Sequence, residues 1–112
     1  MPIRQLIYLV LAVFGLVLPW YHNLAFARET GAMDMASFVA GVFANHASAS
    51  IGWDITIGCA AFLTFASTEA KRLGMKHLWL YFVLTFGVAF AFAAPVFLFM
   101  RERAIAKQRA EA

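Results

Sequence analysis

A chain of 112 residues has room for one domain, and its composition is 63% hydrophobic with only 13% charged residues. Ordinary soluble domains run near roughly 45–50% apolar and 25% charged, so a soluble fold of this size could not bury so much apolar surface. The net charge of +3 comes from Lys and Arg at segment ends, without the basic face and interleaved aromatics of a nucleic-acid binder.

The first apolar run has a short basic start, Met1 to Gln5, and carries no charge from Leu6 to Tyr21. Extended to Phe26, it supplies the roughly 20 apolar residues that a membrane-crossing helix needs. Pro19 is expected to kink or end this helix, and Trp20, Tyr21 and His22 follow as an interfacial belt would. Tyr8, Gly15 and His22 recur every seven residues with Ala12 and Pro19 between them, so one face is small and suited to close helix packing. A rival reading stays open: the same run followed by Ala25-Phe26-Ala27 has the form of a secretory signal with its cleavage site.

From Arg28 to Ala49 comes the longest connection. Thr30 or Asp34 could cap a short helix over about 34–45, with Met35, Phe38, Val39, Val42 and Phe43 on one side. It is too short to span, so an interfacial or re-entrant helix is expected.

The second long helix is expected over about 50–68, and it carries the acid Asp54 near its start. An ionisable group in such a segment is costly in hydrocarbon and should face protein or water. Ser50, Asp54, Gly58 and Ala61 share a face at 100° per residue, with Ala47 and Phe65 extending it. Asp54 could be a general acid or base or a ligand-orienting carboxylate. It could equally be an interfacial acid bonded to Ser50 or Asn45 that fixes packing. Asn45, Ser48, Ser50 and Asp54 form the candidate ligand-binding cluster.

Cys59 excludes an intrachain disulfide, has no Cys partner for a metal, and reads as a small buried hydrophobe. Glu69 lies about 22 Å further along the helix than Asp54, so the two acids cannot form a paired site. Glu69 is expected to bond to Arg72, Lys76 or a neighbouring helix end, and Glu69, Arg72 and Arg101 are read as structural polar residues. His22 and His46 fall on one side and His77 on the other, with no metal-ligand spacing among them, so no metal is expected.

The loop Glu69–His77 turns at Gly74, and the run Leu78–Met100 carries no charge, so a third crossing is expected over about 78–100, followed by a charged tail over 101–112 that frays or lies on the surface. Twelve Phe with three Trp and three Tyr could line a pocket for a lipid-like molecule, although aromatics at helical spacing are more often packing.

Three crossings would place the chain ends on opposite sides. Arg4, Lys71, Arg72 and Lys76 would then share one side, and Arg28, Arg101, Arg103, Lys107 and Arg109 the other. The near tie leaves orientation to the first helix and the dense central loop, which favour a cytoplasmic N-terminus.

With these residues laid out, the chain resembles a family of small bacterial membrane proteins, domain of unknown function 2834. The resemblance runs from Leu18-Pro19 through Phe38, Asn45, Ser48 and Asp54 to Glu69, Arg72-Leu73-Gly74-Met75-Lys76, Trp79-Leu80-Tyr81 and Gly87. It closes on Pro95-Val96-Phe97-Leu98 and Arg101-Glu102. It implies three helices and a membrane location, and brings no activity with it.

The expectation is therefore an all-α integral protein of the bacterial inner membrane, with three transmembrane helices and a short interfacial one. Its partners are the lipid bilayer and either further copies or a larger membrane complex. It is read as a non-enzymatic binder of a lipid-like ligand or an accessory subunit, without a cofactor. The alternative is a membrane enzyme acting on an isoprenoid or similar lipid through Asp54.

Overall fold

The computed structural model describes residues 2–31 and 34–111; Met1, then Ala32 and Met33 of the long connection, and Ala112 of the tail lie outside it. Five helices and no strand occur among the described residues: α1 (Ile3–Thr30), α2 (Met35–Val42), α3 (His46–Leu73), α4 (Leu78–Gly87) and α5 (Phe90–Glu111). Two of them, α1 and α3, are long and apolar enough to cross a membrane.

Local chemistry sets most of the helix ends. Pro19 neither ends α1 nor stops it short of Thr30; Gly31 does that, in the left-handed region at φ 81, with its N–H returning to the Ala27 carbonyl at 2.9 Å. Asp34 caps α2: its Oδ1 accepts from the Ala36 N–H at 3.2 Å and its Oδ2 from the Ser37 hydroxyl at 2.7 Å. Asn45 caps α3 by accepting the Ser48 N–H at 2.9 Å. At the far end Gly74 (φ 64) closes a Schellman turn, in which the Met75 N–H reaches the Ala70 carbonyl at 2.8 Å and the Gly74 N–H reaches Lys71 at 3.4 Å.

The third crossing expected over 78–100 is not one helix. It breaks at Val88 and Ala89, where the Leu84 carbonyl accepts both the Val88 N–H (3.1 Å) and the Ala89 N–H (2.9 Å). The chain then doubles back. Tyr81 and Phe97, which would stand about 24 Å apart on a continuous helix, have ring centroids 5.1 Å apart, edge to face. α4 and the start of α5 are thus the two arms of an antiparallel hairpin, each apolar for about 15 Å. An uninterrupted apolar run carries the same composition whether it crosses once or turns halfway, which is why composition alone missed the turn.

α5 is the central helix. It packs antiparallel to α1, with Gly15 against Ala91 and Arg4 paired with Glu102. It runs parallel to α3, with Phe62 beside Phe90, Glu69 beside Arg101 and Leu73 beside Gln108. Ala66, Ala70, Tyr81 and Phe97 form the buried core between α3 and the hairpin, and the Phe97 ring meets Phe62, Phe65 and Tyr81. At the opposite end α2 bridges α1 and α3, through Phe26–Phe38 and Phe43–Trp53 ring contacts.

One expectation about the ends is overturned by this arrangement. Because the hairpin returns, the N-terminal residues and α5's C-terminal half lie at the same end of the molecule. The charged segment after Met100, expected to fray or lie on the surface, continues α5 to Glu111 with residues 106–111 exposed, and it bonds to the end of α3 through the Gln108 side-chain N–H and the Leu73 carbonyl (3.2 Å).

Candidate functional site

The densest polar arrangement lies where α1, α3 and α5 meet at their shared end. Glu69 is buried and takes both of its carboxylate oxygens into ion pairs: Oε1 accepts from Arg72 Nε at 2.7 Å, and Oε2 accepts from Arg101 Nε at 2.6 Å. Arg72 Nη2 adds a bond to Oε2 at 3.0 Å. Arg72 comes from the next turn of the same helix, and Arg101 comes from α5. Lys76, also weighed as a partner for Glu69, makes no such bond. The Arg101 guanidinium also sits over the Phe65 ring, 5.8 Å from its centroid. Arg4 of α1 joins through Glu102, Nη1 to Oε1 at 3.2 Å. The bidentate pairing and buried acid make this a clamp across three helices.

Charge divides along the long axis. Arg4, Lys71, Arg72, Lys76, Arg101, Arg103, Lys107 and Arg109 all lie at the clamp end. Arg28 alone lies at the other, beside Glu29 and Asp34. The near tie expected from three crossings therefore disappears once the hairpin returns the C-terminal half of α5 to the N-terminal side.

The residues read as a ligand cluster are placed differently from one another. Asn45 is engaged as the α3 cap, and the Ser48 hydroxyl donates to the Asn45 carbonyl at 3.3 Å. Ser50 and Asp54 are exposed, further along α3. Asp54 lies two turns into α3 and about 22 Å along it from Glu69. The Thr56 and Thr64 hydroxyls on the same helix donate to carbonyls four residues back, Gly52 and Ala60. They present no unsatisfied donor to a surrounding apolar medium. His22 and His46 are both exposed, and no group of three metal-ligating side chains occurs among the described residues. Cys59 is half-buried.

The small face of α1 with Ala12, Gly15 and Pro19, expected to suit close packing, meets α5, a partner that the spacing did not name. Gly15 lies on the Ala91 carbonyl so closely that a Cβ at Gly15 would overlap it. Pro95, four residues after Ala91, has no N–H to give that carbonyl, so it is free to face α1. Gly15 and Pro19 repeat the same spacing in α1, and a shared small-residue-to-proline interval was the available signal. Trp20 adds a second tie, with its Nε1–H donating to the Val88 carbonyl at the hairpin tip at 2.8 Å. Beside this contact runs an apolar groove whose walls include Leu11, Phe14, Leu18, Phe90 and Ala94.

The fold and this site define a small helical protein with two span-length apolar helices and a short hairpin clamped to them. The chain belongs to the family described as protein of unknown function DUF2834, whose sequence profile matches residues 7–103. Neither a curated protein nor a solved structure matches the chain.

Proposed function

We propose that this is an integral protein of the bacterial inner membrane that crosses twice, with α1 and α3, and inserts the α4–α5 hairpin partway from the cytoplasmic side. The observation that carries the reading is the coincidence of apolar exposure with charge segregation. Leu9, Val13, Phe14 and Val17 of α1, Ile55 and Ile57 of α3, and Val83 and Phe86 of α4 all face outward. Such continuous apolar surface suits hydrocarbon rather than water. Eight of the nine Lys and Arg gather at the clamp end, and the excess of Lys and Arg in short flanking segments marks the cytoplasmic side.

Within the membrane the protein acts as a binder of a lipid-like molecule or as an accessory subunit, not as an enzyme. The apolar groove between α1 and α5 suits an acyl or isoprenoid chain, and Ser50 and Asp54 stand on the outer half of α3 for a polar head or a partner helix.

Cysteine labelling tests the topology. In a Cys59→Ala background, Glu29→Cys and Lys107→Cys are probed with a membrane-impermeant maleimide in intact and permeabilised cells. On this reading the two positions lie on opposite sides, so Glu29→Cys labels from outside and Lys107→Cys only after permeabilisation. Labelling of both from outside restores a third crossing and defeats the proposal. Native mass spectrometry of protein taken gently from its own membrane tests the binding role: a stoichiometric lipid, quinone or pigment supports a ligand binder, and a co-purifying protein supports an accessory subunit.

A further inference from the structure

We infer that the clamp end is a recognition surface for the phosphate headgroups of anionic phospholipids in the adjacent leaflet; the inference rests on the membrane reading above. The cations at this end fall into two groups. Arg4, Arg72 and Arg101 are engaged by Glu69 and Glu102. Lys71, Lys76, Arg103, Lys107 and Arg109 make no ion pair among the described residues, and all five are exposed.

The pairing explains why the second group stays available. Of the three acids at this end, Glu69 and Glu102 are held by arginines that tie the helices together, and Glu111 alone stands exposed beside the five free cations. The surface is left with an unbalanced positive rim.

The rim also stands at headgroup depth. Lys76 lies two residues before α4, whose second residue, Trp79, is 63% exposed and amphipathic, as suits the boundary between headgroups and acyl chains. Arg103 follows Met100, the end of the uncharged run of α5, by less than one turn. Long Lys and Arg stems at such positions reach outward to phosphate while their methylenes remain in the apolar layer. Ordered pairs within the protein and unpaired cations at its boundary are the arrangement that a negatively charged leaflet complements.

The test uses the full-length protein reconstituted in phosphatidylcholine vesicles with a trace of spin-labelled phosphatidylglycerol or, separately, spin-labelled phosphatidylcholine. Electron paramagnetic resonance reads the motionally restricted fraction of each label. An about fivefold preference for the glycerol lipid is expected, the factor that one Lys or Arg near an anionic surface supplies. That preference should shrink as salt is raised. It should also fall towards unity in a variant carrying Lys71→Gln, Lys76→Gln, Arg103→Gln, Lys107→Gln and Arg109→Gln, with circular dichroism confirming that its helices persist. Equal restriction of the two labels on the native protein overturns the inference and leaves the membrane reading standing. Failure to enter vesicles overturns both. Because the salt series needs no variant, a misfolded mutant does not remove the test.

Discussion

Gly15 of α1 rests directly on the backbone carbonyl of Ala91 in α5, with no room for a side chain between them. Pro95 leaves that carbonyl without its helical N–H, so this close approach occurs where the backbone of α5 lacks one of its own bonds. Gly15→Ala should therefore force α1 away from the hairpin. Overpacking of this kind costs about 1–3 kcal/mol, read as a lowered thermal midpoint in detergent. Gly41→Ala is the control: nothing lies within 4 Å of a Cβ there, and removing glycine from α2 should be neutral or stabilising. Equal effects of the two substitutions would refute the close-approach argument.

Trp20 extends the same seam to the hairpin tip, where its indole N–H satisfies the Val88 carbonyl. Trp20→Phe keeps most of the ring and removes the donor. Leaving a partly buried carbonyl unpaired costs about 1–3 kcal/mol, and the tip should open first. Hydrogen exchange at Val88 to Phe92 should accelerate in the variant, while exchange in the middle of α3 should stay unchanged.

The clamp makes an ordering prediction. Glu69→Gln loosens both the pair within α3 and the pair between α3 and α5. Arg101→Gln removes the pair between helices and the contact with Phe65. Arg72→Gln removes a pair whose guanidinium side chain is 58% exposed and lies on the same helix as its partner. Thermal midpoints should fall most for Glu69→Gln, less for Arg101→Gln and least for Arg72→Gln, because exposed pairs contribute little. A larger effect from Arg72 than from Arg101 would show that the clamp does not join the helices.

The turn into α4 holds His77 in the left-handed region at φ 64, where a residue with a Cβ is disfavoured. His77→Gly should stabilise the protein by about 1 kcal/mol, and Gly74→Ala, at the neighbouring left-handed position, should destabilise it by a similar amount. Opposite signs from two substitutions in one short turn are a stringent check by calorimetry. Matching signs would contradict the backbone assignment.

Asp34 gives a pH dependence confined to α2. The Ser37 hydroxyl and the Ala36 N–H bond to its carboxylate and hold its pKa below the ordinary value of 3.8. The cap's contribution is thus complete above pH 3.8 and disappears as pH falls below that value through the lowered one. The Ala36 amide resonance should report the loss in acid titration. Asp34→Asn should keep a cap while abolishing the titration.

Local sequence sets the helical class, the two span-length helices and Asp34 as one of two candidate caps for α2, whereas Asn45 as the cap of α3 was not legible. An apolar run of about 20 residues, an Asp or Asn before a helix and a glycine after one act through local geometry and need no distant partner. The turn at Gly74 was legible for that reason, and so was Arg72 as a partner for Glu69, although α3 runs on to Leu73 before it turns. Tertiary structure decided the rest. Whether Leu78–Met100 crosses or turns back depends on how Tyr81 packs against Phe97 and Trp20 against Val88, which lie far apart in the chain. That one turn moved Arg101, Arg103, Lys107 and Arg109 to the side of Arg4, joined Glu69 to Arg101 and Arg4 to Glu102, and turned a balanced charge count into a polarised molecule. Charge at each position is a property of the residue, but the end it occupies is a property of the fold.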